Sequence, residues 1–130
     1  MYQIISAMST FDVRGPEIRR TLMADVFDLY RPALPGARID LALEGPMLGE
    51  GLPALDAAAT VTPQGTWLFL ANRSLDRAAT VSLTGLPGLR DGVMRAATSP
   101  YDLQAPPEPA RLTGSRVELP PLSLTRLQAS

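Results

Sequence analysis

The chain has 130 residues and a mass of 13.9 kDa, which is about the size of one domain. Apolar residues make up 45% and charged residues 19%, a balance typical of globular proteins. The sequence contains no Cys, His or Lys, which excludes disulfides, Cys or His metal ligands, and thiol, imidazole or Schiff-base catalysis. A net charge of −1 and short apolar runs argue against nucleic-acid binding and against a membrane span.

Carboxylates, hydroxyls and arginines are the groups that remain for chemistry. We therefore expect no cofactor and no metal ion. The first ten residues, MYQIISAMST, lack the positive flank and the long apolar stretch of a secretory signal. This absence predicts a cytoplasmic protein.

The N-terminal part of the sequence predicts one strand followed by one helix. Residues 2–8 are short and apolar, which is typical of a buried strand. Gly15, Pro16 and Glu17 then suit the start of a helix. Apolar residues follow at a spacing of four: Ile18, Leu22, Val26 and Tyr30. The pattern predicts a helix over residues 16–30 with Arg19 and Arg20 on its polar face.

The rest of the sequence is rich in short strand patterns separated by Pro and Gly. Strands are predicted over residues 38–44, 55–61, 66–72, 79–83, 92–97 and 122–127, and a hairpin over 111–112 and 116–119. Residues 102–109 are predicted to form an exposed loop. Several short strands about ten residues apart indicate an antiparallel β-sandwich, here jelly-roll-like and preceded by one strand and one α-helix.

The chain thus divides into a strand-helix unit, residues 1–35, and a β-sandwich domain, residues 36–130. A single strand-helix unit cannot form a parallel sheet by itself, because its strand needs neighbours. The apolar stripe of the helix must therefore fold back on the sandwich, pair with another molecule, or remain exposed.

Several short motifs occur in a fixed order along the chain. The β-rich part contains LPALDAAAT at residues 52–60, LFLANRS at 68–74, and an ending that runs from RLT at 111–113 to LPPLSLTRL at 119–127. The N-terminal part contains QIISAMST at 3–10 and RRTL at 19–22, before a helix that ends near Tyr30. Together these motifs resemble the C-terminal region of the α-L-arabinofuranosidases of glycoside hydrolase family 51.

The resemblance implies a relation to retaining glycosidases built on a (β/α)₈ barrel. Residues 1–35 would correspond to the last strand and helix of that barrel, and residues 36–130 to the β-sandwich that follows it. The family's two catalytic glutamates lie on earlier strands, with the acid/base in an Asn-Glu pair. The only Asn here is Asn72, which Arg73 follows, so no catalytic residue can be assigned.

The expected function is therefore that of an accessory β-sandwich domain or fragment of an arabinofuranosidase-like enzyme, inactive by itself. A complete barrel needs roughly 200 residues or more. The implied partner is a catalytic barrel or another copy of the chain, and the implied substrate is an arabinose-containing polysaccharide. Two alternatives stay open, a free-standing carbohydrate-binding module and an assembly module whose helix packs on another chain.

Trp67 is the candidate sugar-binding residue, because it is the only Trp and an indole face can stack on a sugar ring. Its place within an apolar strand favours the alternative, packing in the core or at a domain interface. The sequence Asn72-Arg73-Ser74 matches a glycosylation acceptor, or a turn in which Asn bonds its own backbone.

The acidic residues also leave two interpretations open. Retaining hydrolysis needs two carboxylates about 5–5.5 Å apart. Glu44 and Glu50 flank a Gly-Pro turn, where they are either solvated loop residues or acids that reach a neighbouring cleft. Asp56 is expected to be a partnered or edge carboxylate.

Overall fold

The computed structural model describes residues 11–100, 102 and 104–130. The strand predicted over residues 2–8 lies outside these residues. Within them, the structure is mainly β, with antiparallel strands and one nine-residue α-helix. No helix in these ranges has the length and apolar character needed to cross a bilayer.

The larger of two main sheets has six antiparallel strands. They are β3 (Ala37–Ile39), β6 (Leu55–Thr62), β7 (Gly65–Asn72), β9 (Leu89–Ala96), β10 (Pro107–Pro109) and β13 (Ser123–Ala129). Their order is β10-β9-β13-β7-β6-β3, so β13 and β7 lie at the centre. The apolar run that predicted a strand at 66–72 thus forms a central strand.

The smaller sheet has three strands in the order β11-β12-β8. They are β8 (Ala79–Ser82), β11 (Arg111–Thr113) and β12 (Arg116–Leu119). Two short hairpins complete the strands: β1 (Phe11–Arg14) with β2 (Glu17–Arg20), and β4 (Met47–Gly49) with β5 (Leu52–Pro53).

The hydrophobic core lies between the two main sheets. Alternate residues of a strand point to opposite faces, so the strands of each sheet supply one row of side chains to the core. The buried members are Leu55, Ala59, Leu68, Leu70, Val117, Leu119 and Leu127. The prediction of an antiparallel β-sandwich is confirmed, because antiparallel strands form two main sheets that enclose this core.

The helix α1 (Leu22–Tyr30) is shorter than predicted. Residues 11–20 instead form the β1–β2 hairpin, in which Arg14 pairs with Glu17. Gly15 has a φ of +60°, which suits the first central position of a two-residue turn. The prediction of helix over 16–20 is therefore wrong, because Gly15 and Pro16 turn the chain back instead of starting a helix.

This change also alters the predicted apolar stripe. Ile18 lies on β2 and is 71% exposed, whereas Ala24 and Leu29 of α1 are buried. The helix lies against β13 on the outer face of the larger sheet. Of the three arrangements considered for the helix, it has therefore folded back on the sandwich.

Most strand predictions in the β-rich part are confirmed, whereas one predicted strand and one predicted loop differ from the structure. The strand predicted over 38–44 ends at Ile39, where its pairing with β6 stops. The loop predicted over 102–109 ends in β10, which pairs with β9. Its prolines, Pro107 and Pro109, are compatible with strand pairing because β10 is an edge strand.

Candidate functional site

The outer face of the larger sheet carries the candidate sugar-binding residue. The register places Trp67 beside Gln128 and Phe69 beside Arg126, on the face opposite the core row of Leu68 and Leu127. The helix covers part of this face. The candidate sugar-binding region therefore lies on the surface of a sheet and not in a deep cleft.

The indole of Trp67 is half-buried and has two polar neighbours. Its Nε1–H donates to the Thr62 hydroxyl at 3.0 Å. The Arg126 guanidinium lies over the ring, 5.5 Å from its centroid. The ring is thus held by a hydrogen bond at its edge and by a cation over one face.

Arg126 connects this indole to the helix. Its Nη1 donates to the carbonyl oxygen of Leu29 at 3.2 Å. Burial lowers the pKa of Arg126, because desolvation disfavours its charged form. An arginine stays charged at any physiological pH even so, and it acts here as a fixed cation and hydrogen-bond donor.

Asn72 ends β7 as a buried residue, only 2% exposed. Its Oδ1 accepts from the Ser74 N–H at 3.0 Å, which is the backbone turn considered from the sequence. Its Nδ2 donates to the carbonyls of Arg77, at 2.8 Å, and Leu119, at 3.0 Å. These contacts describe a structural amide that joins β7 to the end of β12.

Glu44, Glu50 and Asp56, the carboxylates considered from the sequence, are all exposed. Glu44 and Glu50 are exposed, and Glu50 lies in the turn between β4 and β5. Asp56 is exposed on β6, and its Oδ1 accepts from the Ala57 N–H at 2.9 Å. Among the residues that the structure describes, no group of three or more acidic side chains could hold a metal ion.

Arg19 and Arg20 lie on β2, which corrects their predicted place on a helix. Arg19 pairs with Glu17 in the same strand. Arg20 pairs with Asp28 and, at 3.5 Å, with Asp25, so it ties the hairpin to α1. Arg95 of β9 pairs with the other oxygen of Asp25 at 3.1 Å, which fixes the helix to the sheet.

Sequence reasoning identified Trp67 but missed its partner Arg126. A two-residue alternation counted from Leu127 places Arg126 on the face opposite that leucine, which is the signal that could have assigned it to the outer face. Its contact with Trp67 depends on the pairing of β13 with β7. The first pair, Ser123 with Asn72, joins residues that are 51 positions apart in the sequence.

The fold is similar to parts of solved glycoside hydrolases. One is described as the catalytic domain of GH30 xylanase C from Talaromyces cellulolyticus, with a TM-score of 0.69 and 15% identity. The match covers 94% of this chain and 27% of that chain. A second, described as an arabinofuranosidase, has a TM-score of 0.67 and 15% identity, over 98% of this chain and 33% of that one.

Comparison by sequence gives a different result. No protein-family model matches the chain. No curated protein matches it either. The likeness is therefore one of three-dimensional structure, and at 15% identity it establishes the fold alone. The chain has a glycoside hydrolase-like fold and spans about a third or less of the length of these two structures.

Proposed function

We propose that this chain is the accessory β-sandwich part of an arabinofuranosidase-like glycoside hydrolase and does not itself hydrolyse glycosides. The observation that carries the proposal is that the two structural matches differ in how much of each protein they cover. They include nearly all of this chain but only 27% and 33% of the glycoside hydrolases. The motifs at 52–60, 68–74, 111–113 and 119–127 resemble those of family 51, which supports the assignment to an arabinofuranosidase rather than to a xylanase.

The surroundings of the acidic residues support a non-catalytic role. Asp25, Asp28 and Glu118 face arginines, and Asp102 accepts hydrogen bonds from Thr98 and Ser99. The hydrogen bonds from Thr98, and then that from Ser99, lower the pKa of Asp102, which favours its charged form. A glycosidase acid needs the opposite, an environment that keeps the carboxyl protonated near neutral pH.

The exposed apolar side chains near the helix support a packing role. Ile18, Met23 and Phe27 are 71%, 41% and 60% exposed, with Ile18 on β2 and the other two on α1. In the proposed enzyme these side chains contact the catalytic barrel. Such a contact would remove them from water, which stabilises the assembly by about 25 cal/mol for each Å² buried.

Two experiments test the proposal. The purified chain is incubated with an aryl α-L-arabinofuranoside and with an aryl xyloside, and the released phenol is followed. No turnover above the uncatalysed rate is expected. The genomic sequence upstream of Met1 is then read in frame. A barrel-length coding region with an Asn-Glu pair supports the proposal, whereas sustained turnover by the pure chain contradicts it.

A carbohydrate-binding role would use Trp67 and has its own test. Titration of arabinoxylan into the chain is followed by calorimetry, and Trp67→Ala is compared with Phe27→Ala, which removes an exposed aromatic ring away from the sheet. The accessory proposal expects flat isotherms for all three proteins. Saturable binding that Trp67→Ala alone abolishes would assign the chain to a sugar-binding module instead.

A further inference from the structure

A row of paired residues crosses the larger sheet close to the end of the helix. Direct Cα partners link its members from β3 through β6, β7 and β13 to β9. In that order, the row consists of Arg38, Thr60, Trp67, Gln128 and Arg90. Directly paired residues of neighbouring strands share a face of the sheet. The row therefore lies on one face, has an arginine at each end, and has the indole in its middle.

The hydrophobic core shows which face this is. Alternate residues of a strand point to opposite faces. Each member of the row has a chain neighbour that belongs to the core or packs against it: Ile39, Ala59, Leu68, Leu127 and Leu89. The row is thus on the outer face. Phe69 lies two residues further along β7 on the same face, and Tyr30, the last residue of α1, stacks on it.

The two arginines that end the row are exposed, and its other three members are partly exposed. The Arg38 Nε lies 3.8 Å from a carboxylate oxygen of Asp40. These two side chains are 87% and 99% exposed, so water screens the pair and it neutralises little of the charge. A third guanidinium, that of Arg126, lies over the indole. With no acidic member, the row is a positively charged strip on a protein whose net charge is −1.

Hydrogen bonds hold the middle of the row in place. The Gln128 Nε2 donates to the carbonyl oxygen of Gln64 at 2.9 Å, and the Trp67 Nε1 donates to the Thr62 hydroxyl at 3.0 Å. The Thr60 hydroxyl donates to a backbone carbonyl just after the helix. A ligand would therefore meet an indole and an amide that are already oriented, which lowers the entropy lost on binding.

We propose that this row binds a linear acidic polysaccharide, a chain of pyranose units that carry carboxylates. Neighbouring strands are about 4.8 Å apart, so each end arginine lies about 10 Å from the indole along the row. The guanidinium groups of Arg38 and Arg90 would pair with carboxylates of the chain. A sugar ring would pack its C–H groups on the exposed part of the Trp67 indole, and the Gln128 amide would bond to ring hydroxyls.

The composition of the row favours a polysaccharide over a single-stranded nucleic acid, the other polyanion that uses arginines and an aromatic ring. Proteins that bind single strands stack successive bases on several aromatic side chains. This row has one aromatic residue, and the Arg126 guanidinium lies over its ring. One ring between polar and cationic groups suits a ligand that carries hydroxyls and carboxylates along its length.

The test uses hexagalacturonate, a chain of uronate units, and the full protein. Because Trp67 is the only tryptophan, its fluorescence reports directly on a ligand at the row. We expect a saturable fluorescence change, the same dissociation constant by calorimetry, and weaker binding as the salt concentration rises. The methyl ester of the same oligosaccharide has neutral carboxyl groups, and we expect it to bind at least about tenfold more weakly.

Matched variants separate the row from the overall charge of the protein. Arg90→Ala removes one end of the row and should weaken binding at least about tenfold, because a charged hydrogen bond is lost. Arg116→Ala removes the same charge from an exposed position on β12 of the smaller sheet and should bind as the original chain does. Trp67→Ala, followed by calorimetry, should also weaken binding. The comparison with the methyl ester needs no change in the protein, in case Trp67→Ala fails to fold.

Four results would overturn the proposal: no saturable binding of hexagalacturonate, equal binding of its methyl ester, equal losses in Arg90→Ala and Arg116→Ala, or tighter binding of a thymidylate oligonucleotide of the same length. The last result would assign the row to single-stranded nucleic acid. None of these measurements follows glycoside turnover or uses neutral arabinoxylan, so the acidic-polysaccharide site and the accessory role in a glycosidase can fail independently.

Discussion

The ring of Tyr30, the last residue of α1, stacks on the ring of Phe69 in the central strand β7. The ring centroids are 4.2 Å apart and the planes are inclined by 20°. Phe69 is only 2% exposed, so the stack closes the outer face of the larger sheet at its centre. This contact joins the helix to the sandwich and explains why the helix lies on the sheet.

Replacement of Tyr30 by Ala should weaken this attachment. We expect the free energy of unfolding to fall by about 2–4 kcal/mol, since buried area and the aromatic pair are both lost. Phe27→Ala is the matched control, because it removes an aromatic ring from the exposed side of the same helix and should change stability by less than about 0.5 kcal/mol. Urea unfolding followed by Trp67 fluorescence measures both. Equal losses in the two variants would contradict a specific role for the stack.

The pH dependence of stability should report the burial of Tyr30. Burial, and to a lesser degree the charge of Asp56, raises the pKa of the Tyr30 hydroxyl. Above pH about 10 the unfolded chain releases this proton while the folded chain retains it, so stability falls as the pH rises further. Tyr30→Phe keeps the stack and removes the proton.

Urea midpoints measured from pH 8 to pH 11.5 should therefore decline more steeply for the original chain than for Tyr30→Phe. The other tyrosines titrate in both proteins and cancel in the comparison. Parallel curves would show that the Tyr30 hydroxyl titrates alike in the folded and unfolded chains.

Replacement by Val should change the free energy of unfolding in opposite directions at Thr62 and Thr125, two buried threonines of the larger sheet. Within the described residues, the Thr125 hydroxyl is fully buried and has no hydrogen-bond partner. Thr62 accepts hydrogen bonds from Trp67 and from the Gln64 N–H. A buried polar group without a partner destabilises the fold, whereas removal of a bonded one leaves its donors unpaired.

We therefore expect Thr125→Val to raise the free energy of unfolding by about 1 kcal/mol and Thr62→Val to lower it by about 1–2 kcal/mol. Chemical denaturation of the two variants gives both numbers. A loss of stability in Thr125→Val would mean that its hydroxyl is bonded in solution, for instance to water.

Asn72 should be among the most sensitive positions of the sandwich. Asn72→Ala leaves the carbonyls of Arg77 and Leu119 and the N–H of Ser74 without their side-chain partner. We expect a loss of about 2–4 kcal/mol, because each buried group left unpaired costs about 1–3 kcal/mol. Ser82→Ala, at an exposed position, serves as the control. Thermal unfolding curves that coincide for the two variants would refute the structural role of this amide.

Local patterns were sufficient to predict most of the β-rich part. The apolar run at 66–72 and the alternation at 122–127 correspond to β7 and β13, because a strand's two-residue repeat is visible in the sequence itself. The turn after Asn72 was also open to prediction, since Asn bonds its own backbone two residues further on.

Where a local pattern was compatible with two secondary structures, the rest of the fold determined which of them formed. Residues 16–20 fit a helix by spacing, yet they pair with β1 in a hairpin. Residues 40–44 alternate like a strand, but the pairing of β3 with β6 stops at Ile39. In each case hydrogen bonding to a neighbouring segment decides the outcome, and the local sequence does not specify that neighbour.

The sequence by itself determined the mainly-β class, the positions of the principal strands and the absence of Cys, His and Lys chemistry, because these follow from composition and short-range periodicity. Only the tertiary structure decided that Arg126 lies over Trp67 and that Tyr30 stacks on Phe69. These two contacts join residues that are 59 and 39 positions apart in the sequence. They arise from long-range pairing, which no local pattern encodes.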